Sequence, residues 1–459
     1  MWRGIFDVSG PVSTERLNAG KDIGRGGRGS IRRSDGGDKR CVDVIPAWDA
    51  VIMKATVEVR HRYRLRVSSS QAAPLQAVFD ADRFVWNQAL GRWQDLWRQE
   101  RISLSYAAAD KELTDWRSRF EWLAEQPSVP QQQVLRDLYR AIAAFYDRTN
   151  PTGRPQFKRK GTHATARWTR RGFAVSGSGL GMTGERLEVA VSNGRIPVRV
   201  VWSRPLPVPP TSVTVYRDPV GRWWASFVVR MNIPSRQLPP TGKATGLDIG
   251  LDIFATVEDP AHDIPNPRLA RAQARALARS RRNLARKQKG SANRAKAKRQ
   301  RAAIEAKLAA QRADFHQKAA RHLVGAYDRI GVEDLTVNQL SRRGKGRRKA
   351  GLNRAIADAG WARFLRVLEW QALKAGKQVV ALPARDTTQQ CSTCEAKAKP
   401  RLKLSDRVFR CQNCGLVLER DRNSARNLHP DHPRNNRLGC TGAGDDGKKP
   451  RVPAGSRAA

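Results

Sequence analysis

The sequence predicts an α/β and β multidomain chain, with a small β-domain interrupted by a helical insertion and then an α/β layer carrying an inserted cysteine module. Three observations lead there. Period-two runs of branched, aromatic and basic residues stand on both sides of a helical stretch. Apolar strand-like runs then alternate with long helical segments. Two Cys-x2-Cys pairs, Cys391/Cys394 and Cys411/Cys414, fall near the end. With 459 residues, 40% of them hydrophobic, the chain has material for about two to four buried cores.

Taken in order, residues 1–53 read as a disordered extension. The stretch GKDIGRGGRGSIRRSDGGDKR from Gly20 is mostly glycine and charge and buries too little apolar surface to fold. KATVEVRHRYRLRV alternates apolar and basic residues as a strand does, and opens the β-domain over 54–67. Gln71–Arg101 reads as a helix, with Leu75, Val78, Phe79, Phe84, Trp86, Leu90, Trp93 and Trp97 at core spacings. Helices over Tyr106–Phe120 and Gln131–Tyr146 complete a helical region over 68–150. Strand character returns over 151–238, with a hairpin around Pro219-Val220-Gly221. In the third region, 239–385, ATGLDIGLDIFATVED reads as a strand pair. Tyr327–Leu335 is a short strand ending in acids, Asn353–Ala375 a helix, and Gly376–Pro383 another strand. The cysteine module occupies 386–420, a last α/β segment 421–430, and a disordered tail 431–459.

Charge narrows the function. Lys and Arg number 86 against 42 acids, a formal +44. Such a chain repels itself unless a polyanion neutralises it, and nucleic acid does so through salt-dependent phosphate contacts. Between Arg268 and Arg321 stand 18 Lys or Arg and two acids, Glu305 and Asp314. Gly290-Ser291 turns one helix back on the next there. Leu277, Leu284, Ile304, Leu308, Phe315 and Leu323 form the buried stripes. One sign dominates so strongly that a phosphate-facing surface is favoured over a solvated face. No apolar run approaches the roughly 20 residues of a membrane span. Met1–Gly10 lack a basic region followed by an apolar core. No membrane partner is expected, and a cytoplasmic location is.

Cys391-x2-Cys394-x16-Cys411-x2-Cys414 is the most specific motif. Two knuckles of paired thiolates complete a tetrahedron around Zn2+, and four thiolates make a closed, structural site. A redox pair would need a thioredoxin-like context that is absent from the sequence. Three separated acids are the catalytic candidates. Asp248 lies within the apolar strand GLDIG, Glu333 closes a second apolar strand beside Asp334, and Asp421 follows the second knuckle where a helix begins. A carboxylate among apolar strand residues is costly without a cation or partner. Carboxylates from two strand ends and a helix start can hold two hard divalent ions that activate water against a phosphodiester. Each acid alone also admits an ion-pair or capping role, and Asp252 competes with Asp248.

These residues resemble a known family. GLDIGLDIFATVED, YDRIGVEDLTV and CSTC…RVFRCQNCGLVLERDRNSARNL, in that order, resemble the RuvC-type nuclease of the TnpB (OrfB) family and of the compact type V CRISPR effectors. IADAGWARFLRVLEWQALKAG, ARDTTQQCSTC and the basic stretch from Arg281 also resemble it. Upstream, VEVRHRYRLRVSSSQAAPLQ, RFVWNQAL, WLAEQPSVPQQQVLRDLYRAIAAFYD and GRPQFKRKG resemble its N-terminal half. The likeness covers about residues 54–428. It implies an RNase H-like RuvC nuclease domain with an inserted zinc ribbon, plus an N-terminal wedge β-barrel interrupted by a helical recognition domain. It implies Mg2+ (or Mn2+) held by Asp248, Glu333 and Asp421, Asp248 occupying the family's Gly-x-Asp-x-Gly position. It implies a structural Zn2+ on the four cysteines and a guide RNA whose pairing with double-stranded target DNA supplies specificity, one protein per guide. Tyr106 and Gln132 fall where relatives read a short target-adjacent motif. Ser128 stands where a lysine can occur, and Glu395 replaces a glycine common after the second cysteine.

The resemblance therefore implies an RNA-guided DNA endonuclease. A compact type V CRISPR effector shares the chemistry and differs in where its guide comes from. A nuclease-inactive RNA-guided repressor would call for a substituted acidic triad. A classical transposase also uses three acids, but the ribbon between the second and third fits RuvC better.

Overall fold

The computed structural model describes residues 56–147, 152–161, 164–176, 186–192, 194–232, 238–334, 346–403 and 405–435. The readings of residues 1–53 and of the tail beyond 435 lie outside them. Two compact units, Met1–Pro234 and Ser235–Ala459, are taken in turn.

The first unit contains a seven-stranded antiparallel sheet. In chain order its strands are β1 (Thr56–Arg66), β2 (Thr165–Thr169), β3 (Phe173–Ser176), β4 (Arg186–Val191), β5 (Gly194–Val201), β6 (Ser212–Arg217) and β7 (Trp223–Asn232). Their order across the sheet is β2-β6-β7-β1-β5-β4-β3. The two edge strands, β2 and β3, are therefore neighbours in the chain. A flat sheet would hold them roughly 29 Å apart, at about 4.8 Å per strand. The short connection closed by the Gly172 amide on the Thr169 carbonyl reaches only about 14 Å. The sheet must curl, and it wraps a core of Tyr63, Leu65, Leu187, Val198, Val213, Phe227 and Val229. The residues alternate buried and half-exposed along β2, β4 and β7, as a one-sided sheet requires.

Between β1 and β2 run α1 (Ser69–Gln99), α2 (Tyr106–Arg119), α3 (Glu121–Ala124) and α4 (Ser128–Tyr146). Ser68 and Gln71 form a capping box at the start of α1. Val85, Leu90, Trp93, Leu113, Leu135 and Leu138 close a separate core. Trp97, expected in that core, is 37% exposed with the Arg101 guanidinium over its ring. It stands in the last turn of α1. Trp86 is half-buried, donates to the Gln156 carbonyl and carries the Lys158 ammonium 3.7 Å from its ring centre.

The second unit is a five-stranded mixed sheet, order β10-β9-β8-β11-β12. Its strands are β8 (Ala244–Asp248), β9 (Ile253–Val257), β10 (Ile264–Pro265), β11 (Arg329–Glu333) and β12 (Gln378–Leu382). β8, β11 and β12 are parallel, and β9 returns antiparallel to β8. After β10 come the short α5 (Leu269–Ala272), then α6 (Ala274–Ala285) and the long α7 (Ala292–Ala326). The hairpin between α6 and α7 turns at Gly290, φ 87, where a side chain would be strained. Leu308 and Leu323 are buried in α7, whereas no residue of α6 is fully buried.

The stretch expected as one helix, Asn353–Ala375, is two: α8 (Arg347–Ala359) and α9 (Trp361–Ala375). Gly360 parts them in the left-handed region, φ 68. Period-3.6 patterning runs through the break, so the sequence pattern alone conceals it. Leu247, Ile330 and Val332 pack with Leu323 of α7 and Phe364, Val367 and Leu368 of α9 on one face of the sheet.

The cysteine module follows β12 and ends in the ribbon strands β13 (Val408–Arg410) and β14 (Val417–Glu419). A final helix, α10 (Arg420–Asn427), completes the unit. α10 lies on the other face, against two glycines. Gly246 of β8 and Gly331 of β11 are register partners. A Cβ on Gly246 would stand 1.8 Å from the Ala425 carbonyl oxygen, and one on Gly331 1.9 Å from that of Leu428. Residues 431–435, read as tail, pack as well: the buried Asn435 donates to the Asn427 and His429 carbonyls. Gly246→Ala is expected to lower unfolding stability by about 3 kcal/mol, since backbone cannot yield as a flexible side chain does. Chemical denaturation of the second unit's transition checks this; an unchanged midpoint would mean that α10 does not rest there.

Candidate active site

The alternation of a strand places Gly246 and Asp248 on one face, as it does Gly331 and Glu333. The face that receives α10 therefore ends in two acids. β8 and β11 pair in parallel with Leu247 opposite Val332, so Asp248 and Glu333 stand side by side at their carboxy-terminal ends. That is where open α/β sheets form their crevices. Asp421 comes from the first turn of α10.

Burial pushes the Asp248 carboxyl from its ordinary 3.8 to about 8, with further upward pressure from the charges of Glu333 and Asp421. Glu333 and Asp421 thus both lie within electrostatic reach of Asp248. Burial also raises Glu333, against a hydrogen bond from Thr387. Asp421 has cationic company: Arg420 donates to its Oδ1 at 3.0 and 3.2 Å, and an Arg407 nitrogen stands 3.8 Å from its Oδ2. Asp252 departs from the others. It is exposed and ion-paired with Arg268 and Arg407. Asp248, preferred over Asp252 for its Gly-x-Asp-x-Gly position, is half-buried and stands near Glu333 and Asp421, whereas Asp252 is exposed. A desolvated carboxyl beside two like charges either keeps its proton or needs a compensating cation. The oxygen-only donor set suits a hard divalent ion.

Polar residues that the sequence reading passed over hold this arrangement. Ser424 Oγ donates to Asp248 Oδ1 at 3.1 Å, and Thr387 Oγ1 to Glu333 Oε1 at 2.6 Å. Asn427 Nδ2 donates to the carbonyls of Thr387 and Gln390, and Asn423 Nδ2 to that of Gln390. Arg422 grips Asp263 through two nitrogens at 2.9 and 2.8 Å. Asn423, Ser424 and Asn427 are fully buried. A helix without one large apolar residue, RDRNSARN, that follows a cysteine knuckle was the available signal.

The four cysteine sulfurs offer ligand atoms all within 4.8 Å of one another. Cys391 Sγ to Cys414 Sγ is 3.6 Å and Cys394 Sγ to Cys411 Sγ 3.5 Å, far beyond a disulfide. Zinc–sulfur bonds of about 2.3 Å at tetrahedral angles put sulfurs about 3.8 Å apart, so the donor set fits Zn2+. The knuckles share a backbone feature. The residue after the second cysteine is left-handed in both, Glu395 at φ 60 and Gly415 at φ 74. Glu395 thus takes the conformation that glycine adopts freely, and all four sulfurs still converge.

Tyr106 and Gln132 lie in the first unit. The Tyr106 hydroxyl accepts from Arg136 Nε at 3.0 Å, and its ring meets Tyr139 edge-on. Gln132 lies one turn before Arg136 on α4 and is half-buried. The two neighbouring helices therefore bring this pair to one area.

Three family descriptions match the chain: OrfB_IS605, "Probable transposase", over 226–344; "Cas12f1-like, TNB domain" over 361–428; and "Helix-turn-helix domain" over 53–101. A Streptomyces pristinaespiralis protein named "Putative RNA-guided DNA endonuclease" is 35% identical over 82% of this chain and 90% of its own length. "Putative RNA-guided DNA endonuclease InsQ" of Escherichia coli (strain K12) is 31% identical over 80% and 90%. A solved Cas12f1-sgRNA-target DNA complex is similar at TM-score 0.48 and 12% identity, over 79% of this chain and 83% of that one. With nine-tenths of two such relatives spanned at 31–35% identity, the chain belongs to the TnpB (OrfB) family.

Proposed function

We propose that this protein is an RNA-guided DNA endonuclease that cuts target DNA at Asp248, Glu333 and Asp421. The observation that carries the reading is the placement of Asp248 and Glu333 side by side at the ends of β8 and β11, with Asp421 on α10 close enough for its charge to act on Asp248. Residues 239–385 with 421–430 are read as a RuvC-type, RNase H-like domain with the zinc ribbon inserted over 386–420. Residues 54–67 with 151–238 are read as the wedge and 68–150 as the recognition region, with Tyr106 and Gln132 reading the target-adjacent motif. The relatives' names and the family membership support this assignment. So does the charge of +44, which suits a guide RNA and a target duplex.

The Mg2+ or Mn2+ that the three carboxylates would hold supplies Lewis-acid activation of water and stabilises the leaving oxygen. The chain contributes position and environment. Asp248 and Glu333 are held on strand ends of a packed sheet, the rigid kind of element that a precise site needs. Ser424 and Thr387 engage one oxygen of each. Burial keeps the carboxylates poorly hydrated, which strengthens their pull on a cation. The Zn2+ that the four cysteines would hold fixes the ribbon and, through Gln390, its junction with α10.

Asp248→Ala is expected to leave guide RNA and target DNA binding intact and to slow cutting by about a thousandfold or more, about 4 kcal/mol of barrier. Gel-shift and cleavage assays on the same preparation test this. Cutting at the wild-type rate would reject the assignment.

Ionisation supplies a second test. In the folded, ion-free chain Asp248 keeps its proton up to about pH 8, whereas in the unfolded chain it ionises near 4. Its contribution to stability is complete below about pH 4 and is lost as pH rises to about 8. Asp248→Asn removes that loss. Between pH 4 and pH 8 it should therefore gain on the wild type by a few kcal/mol, at about 1.4 kcal/mol for each pH unit. Mg2+ should raise the wild-type unfolding temperature more at pH 8 than at pH 5. A pH-independent difference between the two proteins counts against a desolvated Asp248.

Removing zinc with a chelator, or Cys411→Ser, should abolish cutting and expose 386–420 to protease. A protease-resistant, active zinc-free chain would sink the structural role of the ribbon.

A further inference from the structure

Two buried hydroxyls touch the acids, each from outside the strand that carries its acid. Thr387 is 2% exposed and Ser424 fully buried. Thr387 Oγ1 stands 2.6 Å from Glu333 Oε1 and 3.2 Å from the Ala384 carbonyl. A hydroxyl has one proton to give, and the nearer, charged acceptor takes it. The Thr387 carbonyl meanwhile accepts from Asn427 on α10 at 2.8 Å. Thr387 therefore ties Glu333, by side chain, to the helix that carries Asp421, by main chain. Ser424 ties Asp248 to that same helix directly. Asp248 and Glu333 sit on neighbouring strands, so the two hydroxyls bring both sheet acids to the helix that bears the third.

We propose that Thr387 and Ser424 are positioning residues that engage one oxygen of Glu333 and of Asp248 and leave the other oxygen of each to the metal ions. This rests on the reading of the three acids as ion ligands. A carboxylate at a strand end turns about its side-chain bonds, and one fixed donor removes most of that freedom before an ion arrives. Hydroxyl and amide groups that orient metal ligands are worth about 10–100-fold in metal affinity.

The test measures Mn2+ binding to the full-length chain by electron paramagnetic resonance of the free ion, alongside thermal unfolding and cutting of target DNA with the copurified RNA. Thr387→Val keeps the shape of the side chain and removes the hydroxyl. It should weaken Mn2+ binding about tenfold, raise the Mn2+ concentration for half-maximal cutting in step, and recover near-wild-type cutting at saturating ion. Thr387→Ser restores the hydroxyl and should bind within about twofold of the wild type, a rescue that a purely structural role would not predict. Ser424→Ala should show the same weakening, and alanine, the best helix former, leaves α10 intact, so it decides the matter if the valine variant does not fold. Folded Thr387→Val and Ser424→Ala proteins whose Mn2+ titrations superimpose on the wild type would overturn the proposal. Glu333→Ala separates the failures. If it too binds Mn2+ as the wild type does, the ion-site reading itself is wrong; if it loses Mn2+ while the hydroxyl variants do not, only the positioning role fails.

Discussion

The close approach of α10 to the sheet is the constraint on which the site depends. Gly246 and Gly331 face one another across β8 and β11, and neither position tolerates even a Cβ beneath the α10 backbone. Close approach of a helix to a sheet is bought with the freedom of two strand glycines, which loosen a strand on their own account. The return is geometric. Asp248 and Glu333 stand two residues beyond those glycines on the same face, and Asp421 is on the helix they admit. Side chains at the two positions would lift the helix and carry its acid away from the other two.

Beside Ala425 and Leu428, polar groups make up much of that contact. α10 buries Arg422, Asn423, Ser424 and Asn427, groups that favour water unless every donor finds an acceptor. Arg422 meets Asp263 and the Val257 carbonyl; the two asparagines meet main-chain carbonyls of the ribbon approach. Hydrogen bonds fix direction where apolar contacts fix only proximity, and a metal site needs direction. The apolar core, with Phe254 edge-on to Phe315 and Phe364, lies on the opposite face and holds the sheet itself. The unit thus divides its labour: one face supplies stability and the other supplies geometry.

Much of this was legible in the sequence because it is local. Strand alternation marked β1, apolar runs marked β8 and β9, the hairpin turn lay at Pro219–Gly221, and the cysteine spacing marked the four converging sulfurs. What was hidden is what distance along the chain conceals. Asp248 and Asp252 share nearly the same local sequence, yet one is half-buried near two acids and the other is exposed between Arg268 and Arg407. Gly360 breaks a helix whose apolar periodicity continues unbroken; its left-handed backbone suits glycine, and a side chain there would crowd Arg312 and His316. Trp97 has the spacing of a core residue yet stands exposed in the last turn of α1, under the Arg101 guanidinium. Thr387 and Ser424 are ordinary residue types, and only their neighbours 54 and 176 positions away make them notable.

The place of the ribbon in the chain follows from the same geometry. It lies between β12 and α10, so the third acid is reached only by passing through the cysteine module. Gln390, next to Cys391, offers its carbonyl to both Asn423 and Asn427, and the Ser392 amide donates to Asn423 Oδ1. The first knuckle is therefore docked on the helix that bears Asp421. Without a cross-link, a connection of this length between β12 and α10 would sample many arrangements, and closing it costs entropy that grows slowly with length. Four thiolates gathered on one ion would meet that cost within the ribbon itself, leaving the few polar contacts of α10 only the final registration to provide. On the proposed reading, a closed metal site would in this way help to set the position of the Asp421 carboxylate, a mechanical role for the ribbon.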